Sequence, residues 1–140
     1  MKPQTLRPIQ QVQGRHAQGK KPTILIIEDE QFLCRLLMKK FESSGFVVHV
    51  ALDGETGLKT AEQELPDIIL LDILLPGIDG FEVLRRLKGN ATRSIPVIII
   101  SNLSEARDID KAKQLGAADY IIKAQSSPQE IVDKARALIV

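Results

Sequence analysis

Four apolar runs in this 140-residue chain end abruptly in a side chain suited to acid, metal or phosphate chemistry. Residues 23–27 run into Glu28, Asp29 and Glu30, and residues 68–71 into Asp72. Residues 97–100 run into Ser101, and residues 120–122 into Lys123. An acid after a strand often only caps the next helix. Asp72 is harder to read that way, because Ile73, Leu74 and Leu75 follow it and Asp79 already stands as the next cap. Carboxylates about 4 Å apart repel by roughly 1–4 kcal/mol, so three at one site call for a cation. Hard oxygen ligands with no His or Cys beside them suit Mg²⁺, which also accepts phosphate oxygens. Lys123 adds a point charge and Ser101 a hydroxyl donor for an anion. Such a group performs phosphoryl transfer by positioning and charge neutralisation, and a carboxylate nucleophile there would become an aspartyl phosphate.

The surrounding pattern must bring these groups together. Phe32, Leu33, Leu36, Leu37 and Phe41 recur at helical spacing, and Gly45 is placed to stop that helix. Residues 46–50 read as a strand, and Asp53 caps a helix through Glu64 with a thin stripe of Leu58, Ala61 and Leu65. Asp79 and Glu82 have capping-box spacing and open a helix that stops near Gly89. Residues 104–115 make a further helix with a poor apolar face. A last helix opens at Ser127 and Glu130, with Pro128 at its first position. The strands are continuous apolar runs, as expected of parallel strands buried on both faces. Five βα units are too few for a closed barrel. The expected fold is a doubly wound α/β sandwich with strand order 2-1-3-4-5, flavodoxin-like in plan. Its ligand site lies at the carboxyl ends of strands 1 and 3, where the order reverses.

Composition agrees with one folded unit. The chain is 44% hydrophobic and 26% charged, and its single cysteine, Cys34, excludes a disulfide framework or a cysteine zinc site. No apolar run exceeds four residues, so neither a membrane span nor a secretory leader is expected, and a cytoplasmic location is. Residues 1–22 carry five bases and no acid and are read as a disordered basic arm; residues 23–140 form the folded domain, with 14 bases against 18 acids. An acidic body argues against direct nucleic-acid binding.

The segments Ile-Leu-Ile-Ile-Glu-Asp-Glu at 24–30, Leu-Leu-Asp-Ile-Leu-Leu-Pro-Gly-Ile-Asp-Gly at 70–80, Ile-Pro-Val-Ile-Ile-Ile-Ser at 95–101 and Asp-Tyr-Ile-Ile-Lys-Ala at 119–124 resemble the receiver domains of two-component response regulators. The resemblance covers residues 23–140. It implies that Asp72 is the phosphoacceptor, served by a histidine kinase or a histidine phosphotransfer protein. It implies that Asp29, Asp72 and the backbone carbonyl of Leu74 bind Mg²⁺ directly, with Glu28 acting mainly through water. Lys123 and Ser101 would bind the phosphoryl oxygens, and Tyr120 would be the switch aromatic. The face made by the fourth helix, fifth strand and fifth helix would signal to a downstream effector, with dimerisation on phosphorylation left open. Such a domain is not an enzyme beyond assisting its own phosphorylation and dephosphorylation.

Three positions depart from the family's usual pattern: Glu28 for Asp, Asn102 for a small residue, and Ala124 for Pro. None removes a group the chemistry needs. The alternative within this fold is a degenerate receiver that binds partners without phosphorylation, against which the joint presence of Asp29, Asp72, Ser101 and Lys123 stands. A flavin carrier would need a Ser/Thr/Gly phosphate loop where Glu28, Asp29 and Glu30 stand, and a metal hydrolase or nuclease an Asp-x-Asp pair or catalytic His. His49 reads as a structural or surface residue, and Cys34 as a small core residue. The sequence reads equally as a stand-alone receiver or as part of a longer regulator.

Overall fold

The computed structural model describes residues 19–139; the basic arm lies outside the described residues up to position 18. Five strands, β1 (Thr23–Ile27), β2 (Val47–Ala51), β3 (Ile68–Leu71), β4 (Val97–Ser101) and β5 (Asp119–Ile122), form one parallel sheet in order β2-β1-β3-β4-β5. The helices between and after them are α1 (Gln31–Ser43), α2 (Gly54–Glu64), α3 (Gly80–Lys88), α4 (Ala106–Gln114) and α5 (Pro128–Ile139), with a 3₁₀ turn at Lys123–Gln125.

The strands are apolar throughout because both faces are covered. Ile24 and Ile26 of β1 join Ile68, Leu70, Ile98 and Ile100 in a core closed by Leu37 and Phe41 of α1 and by Ile131 and Val132 of α5. Leu25 and Ile27 alternate to the other face, with Ile69, Leu71 and Ile99, beneath α2, α3 and α4. Full burial of each such side chain is worth about 1.5–3 kcal/mol, so the central strands anchor both halves of the core.

Local chemistry sets the helix ends. Asp53 accepts from the Thr56 N–H at 2.8 Å, and Asp79 from the Glu82 N–H at 3.0 Å. The Glu82 carboxylate does not return the bond; Arg85 and Arg86 hold it instead and bring its pKa down to about 2. At α5 the box is reciprocal: Glu130 N–H donates to Ser127 Oγ and Ser127 N–H to Glu130 Oε1.

Several expected boundaries and faces differ. α4 starts at Ala106 rather than 104, and its N-cap Glu105 makes no side-chain cap. Leu65 is not part of an inward stripe. Pro66 disfavours helical geometry at the residue before it, and Leu65 turns left-handed (φ 44°) and lies half exposed. Phe32 and Leu36 share the apolar spacing of α1 yet face solvent, Phe32 at 69%. His49 pairs with Glu64 at 3.6 Å, and Cys34 is buried.

Candidate functional site

β1 and β3 are neighbours in the sheet but their onward connections run to opposite sides, which opens a crevice at their carboxyl ends. Two backbone bonds extend the ladder by one residue on each strand: Glu28 N–H donates to the Ala51 carbonyl and Asp72 N–H to that of Ile27, each at 3.0 Å. This seats the first acid of each run at the sheet's edge inside the protein. Glu28 is fully buried, Asp72 nearly so, and Asp29 is exposed. One carboxylate oxygen from each of the three lies within 4.8 Å of the others.

Lys123 closes this cluster from two strands away. Strands stand about 4.8 Å apart, so only a long side chain leaving the end of β5 reaches β3 and β1. Lys123 Nζ lies 2.8 Å from Glu28 Oε1, 3.3 Å from Asp72 Oδ2 and 3.7 Å from Glu30 Oε1. Burial works against its charge, but Glu28 and Asp72 together outweigh that and raise its pKa. Burial, reinforced by Asp72, raises the Glu28 carboxyl against the pull of Lys123 and the Glu30 N–H. Glu28 Oε1 is thus buried against an ammonium that it shares with Asp72. A buried carboxylate with two further carboxylate oxygens within 4.8 Å fits a hard divalent cation.

Ser101 is buried at the end of β4, its Oγ accepting from the Leu103 N–H at 3.1 Å. Tyr120 donates its hydroxyl to the Leu103 carbonyl at 2.6 Å, so the serine and the aromatic grip the same loop residue. Leu74 is exposed, and its N–H donates to Asp72 Oδ1 at 3.4 Å. The residues singled out in the sequence thus converge at one end of the sheet. Glu30, which stands in the same acidic run and was given no role there, is the third carboxylate on Lys123. Cys34 also touches the site's frame, its Sγ donating to the Glu28 carbonyl at 3.1 Å; burial, then Glu28 and Asp29, push the thiol up to about 11.

The sequence profile of the response regulator receiver domain matches residues 24–136. The chain belongs to this family. This receiver domain is similar to "Response regulator PleD" of Caulobacter vibrioides, 43% identical over 71% of this chain and 22% of that protein. It is also similar to "Alkaline phosphatase synthesis transcriptional regulatory protein PhoP" of Bacillus subtilis, 38% identical over 83% of this chain and 48% of the relative. The chain therefore spans about half or less of these curated relatives. Among solved structures, a putative response regulator from Chloroflexus aurantiacus superposes with a TM-score of 0.80 at 29% identity, covering 86% of this chain and 98% of that one. The BeF₃-activated N-terminal receiver domain of Klebsiella pneumoniae RstA gives 0.78 at 27%, covering 84% and 97%. As a receiver domain the chain is a signalling module of two-component systems, and its acidic cluster fits a phosphoacceptor site. No helix among its described residues is long and apolar enough to cross a membrane.

Proposed function

We propose that Asp72 accepts a phosphoryl group from a phosphohistidine on a histidine kinase or histidine phosphotransfer protein in the cytoplasm. The observation that carries this is the half-buried ammonium of Lys123, held on Glu28 and Asp72 together. An Asp72 carboxylate oxygen attacks phosphorus, the P–N bond breaks, and its electron pair stays on the donor imidazole. Lys123 exchanges its carboxylate contacts for a phosphoryl oxygen. Ser101 releases the Leu103 N–H and turns its hydroxyl to another. Asp29, Asp72 and the Leu74 carbonyl would hold Mg²⁺ directly, with Glu28 behind a water. Bound there, the ion neutralises the carboxylates and offsets charge on the transferring group.

Because Leu103 also carries the Tyr120 hydroxyl bond, movement of Ser101 is passed to the face of α4, β5 and α5. α4 buries only Ala112, so it is held lightly enough to move. That face would meet a downstream effector or a second copy of the domain, and the domain acts on no substrate besides its own phosphoryl group. The assembled site favours this reading over a phosphorylation-independent binding module.

Beryllofluoride, a stable mimic of the phosphoryl group, tests the reading at equilibrium. Binding that requires Mg²⁺, shown by ¹⁹F NMR and lost in Asp72→Ala, is expected; absence of binding at millimolar fluoroberyllate would overturn it.

The donor must approach past the start of α1, which follows Glu28, Asp29 and Glu30 directly. Exposed Phe32 and Leu36 lie there one turn apart, and Leu36 leads into a groove of about 420 Å³ bordered by Lys40, Ser127 and Pro128. An apolar patch beside a charged site is an interaction surface. Phe32→Ala is expected to slow transfer from a phosphohistidine partner about tenfold, as for loss of an aromatic interface residue, and to leave labelling by acetyl phosphate unchanged. Equal slowing with both donors would place the effect in the site rather than in docking.

A further inference from the structure

Lys123 opens the 3₁₀ turn Lys123–Gln125, and the first N–H groups of any such turn lack partners within it. The Ala124 N–H finds one from another loop: it donates to Asn102 Oδ1 at 2.9 Å. The sheet pairing of β4 with β5 ends at Ser101 opposite Ile122, so this side-chain bond adds a tie beyond the last rung. It joins the residue after Ser101 to the residue after Lys123. Ala124 keeps the N–H that a proline would lack, so the two departures at 102 and 124 form one contact.

We infer that Asn102 is a positioning residue for phosphoryl binding: its side-chain oxygen holds the β5–α5 turn so that the Lys123 ammonium stays over Asp72. The inference rests on the phosphoacceptor reading. Lys123 reaches its carboxylates through a long flexible side chain, so the backbone from which it starts sets the region its ammonium can cover. Asn102 fixes that backbone, and among the described residues its side chain makes no hydrogen bond to Glu28, Asp29 or Asp72, so its effect is directed at the anion rather than at the cation.

The test compares Asn102→Ala with the unaltered chain by NMR. Asn102 is exposed, so the variant is expected to fold. Three results are expected together. Hydrogen exchange of the Ala124 amide rises about tenfold. Mg²⁺ affinity in the absence of beryllofluoride is unchanged. Beryllofluoride affinity at saturating Mg²⁺ falls about three- to tenfold, the range of one net hydrogen bond. Asn102→Asp, which keeps an acceptor oxygen, restores protection of the amide. Unchanged Ala124 exchange would overturn the bond, and faster exchange with unchanged beryllofluoride affinity would overturn the positioning role. An equal fall in Mg²⁺ affinity would mean a general loosening of the site and would overturn it too. If the unaltered chain binds no beryllofluoride, the phosphoacceptor reading itself fails and this role goes with it; a difference confined to the variant bears on Asn102 alone.

Discussion

Lys123→Ala is expected to destabilise the domain by about 3–5 kcal/mol in the absence of Mg²⁺, the usual cost of stripping one partner from a buried charge pair. The side chains of Glu28 and Asp72 are only 1% and 4% exposed, and Lys123 is the ammonium within 4 Å of both. Without it, two buried carboxylates face each other with Asp29 close by. The loss has a pH signature. Burial and Asp72 already raise the Glu28 pKa, and removing Lys123 takes away an opposing pull. A carboxyl whose folded pKa is raised favours the fold while protonated, and that contribution is lost as pH rises through the folded value. The deficit of the variant should therefore shrink on going from pH 8 to pH 5. Mg²⁺ should also restore part of it at neutral pH, because a ligand bound only by the folded state stabilises that state. Urea denaturation at the two pH values, with and without Mg²⁺, reads all of this. A loss below about 1 kcal/mol that is insensitive to pH would show an ordinary surface ion pair instead.

Gly80→Ala should be as damaging, for steric reasons. A Cβ at position 80 would sit 2.3 Å from the Asp72 carbonyl oxygen and 2.5 Å from Ile73 Cα. Both are backbone atoms of the segment that carries the proposed phosphoacceptor, and neither can swing aside. The Gly80 N–H also donates to the Ile73 carbonyl at 2.8 Å, so α3 is docked on that segment through its first residue. Overpacking costs about 1–3 kcal/mol where side chains can adjust; here the helix start must lift away, so about 3 kcal/mol or more is expected. The displacement would also move Asp72, and Mg²⁺ affinity should drop in the molecules that remain folded. Gly89→Ala is the control, since its Cβ would meet nothing closer than 3.5 Å. Equal Tm values for the two variants would show that α3 can shift freely against the Asp72 loop.

The sheet and the placement of the candidate site were legible in the sequence for one shared reason. Parallel strands covered on both faces have to be apolar along their length, so the first polar residue after each run marks the strand's carboxyl end. That rule located Glu28, Asp72, Ser101 and Lys123 at one edge before any coordinates. It could not say which acid of the run 28–30 turns inward, because neighbouring residues on a strand point opposite ways and the parity is set by where β1 stops pairing. Glu28 is buried and Asp29 exposed because the ladder runs one residue past Ile27. α1 shows a related limit: it is apolar over more than half its circumference, so the helical spacing of Phe32 and Leu36 does not tell that they face solvent. The tie between Asn102 and Ala124 spans 22 residues and depends on how two loops lie beyond the sheet, which no local pattern encodes.

The most direct test of the account is the intact mass of the protein after incubation with acetyl phosphate, with and without Mg²⁺, beside an Asp72→Ala variant. The account predicts a gain of one phosphoryl group that requires Mg²⁺ and is absent from the variant. A gain that persists in the variant, or no gain under conditions that label another receiver domain together with no binding of beryllofluoride, would contradict it.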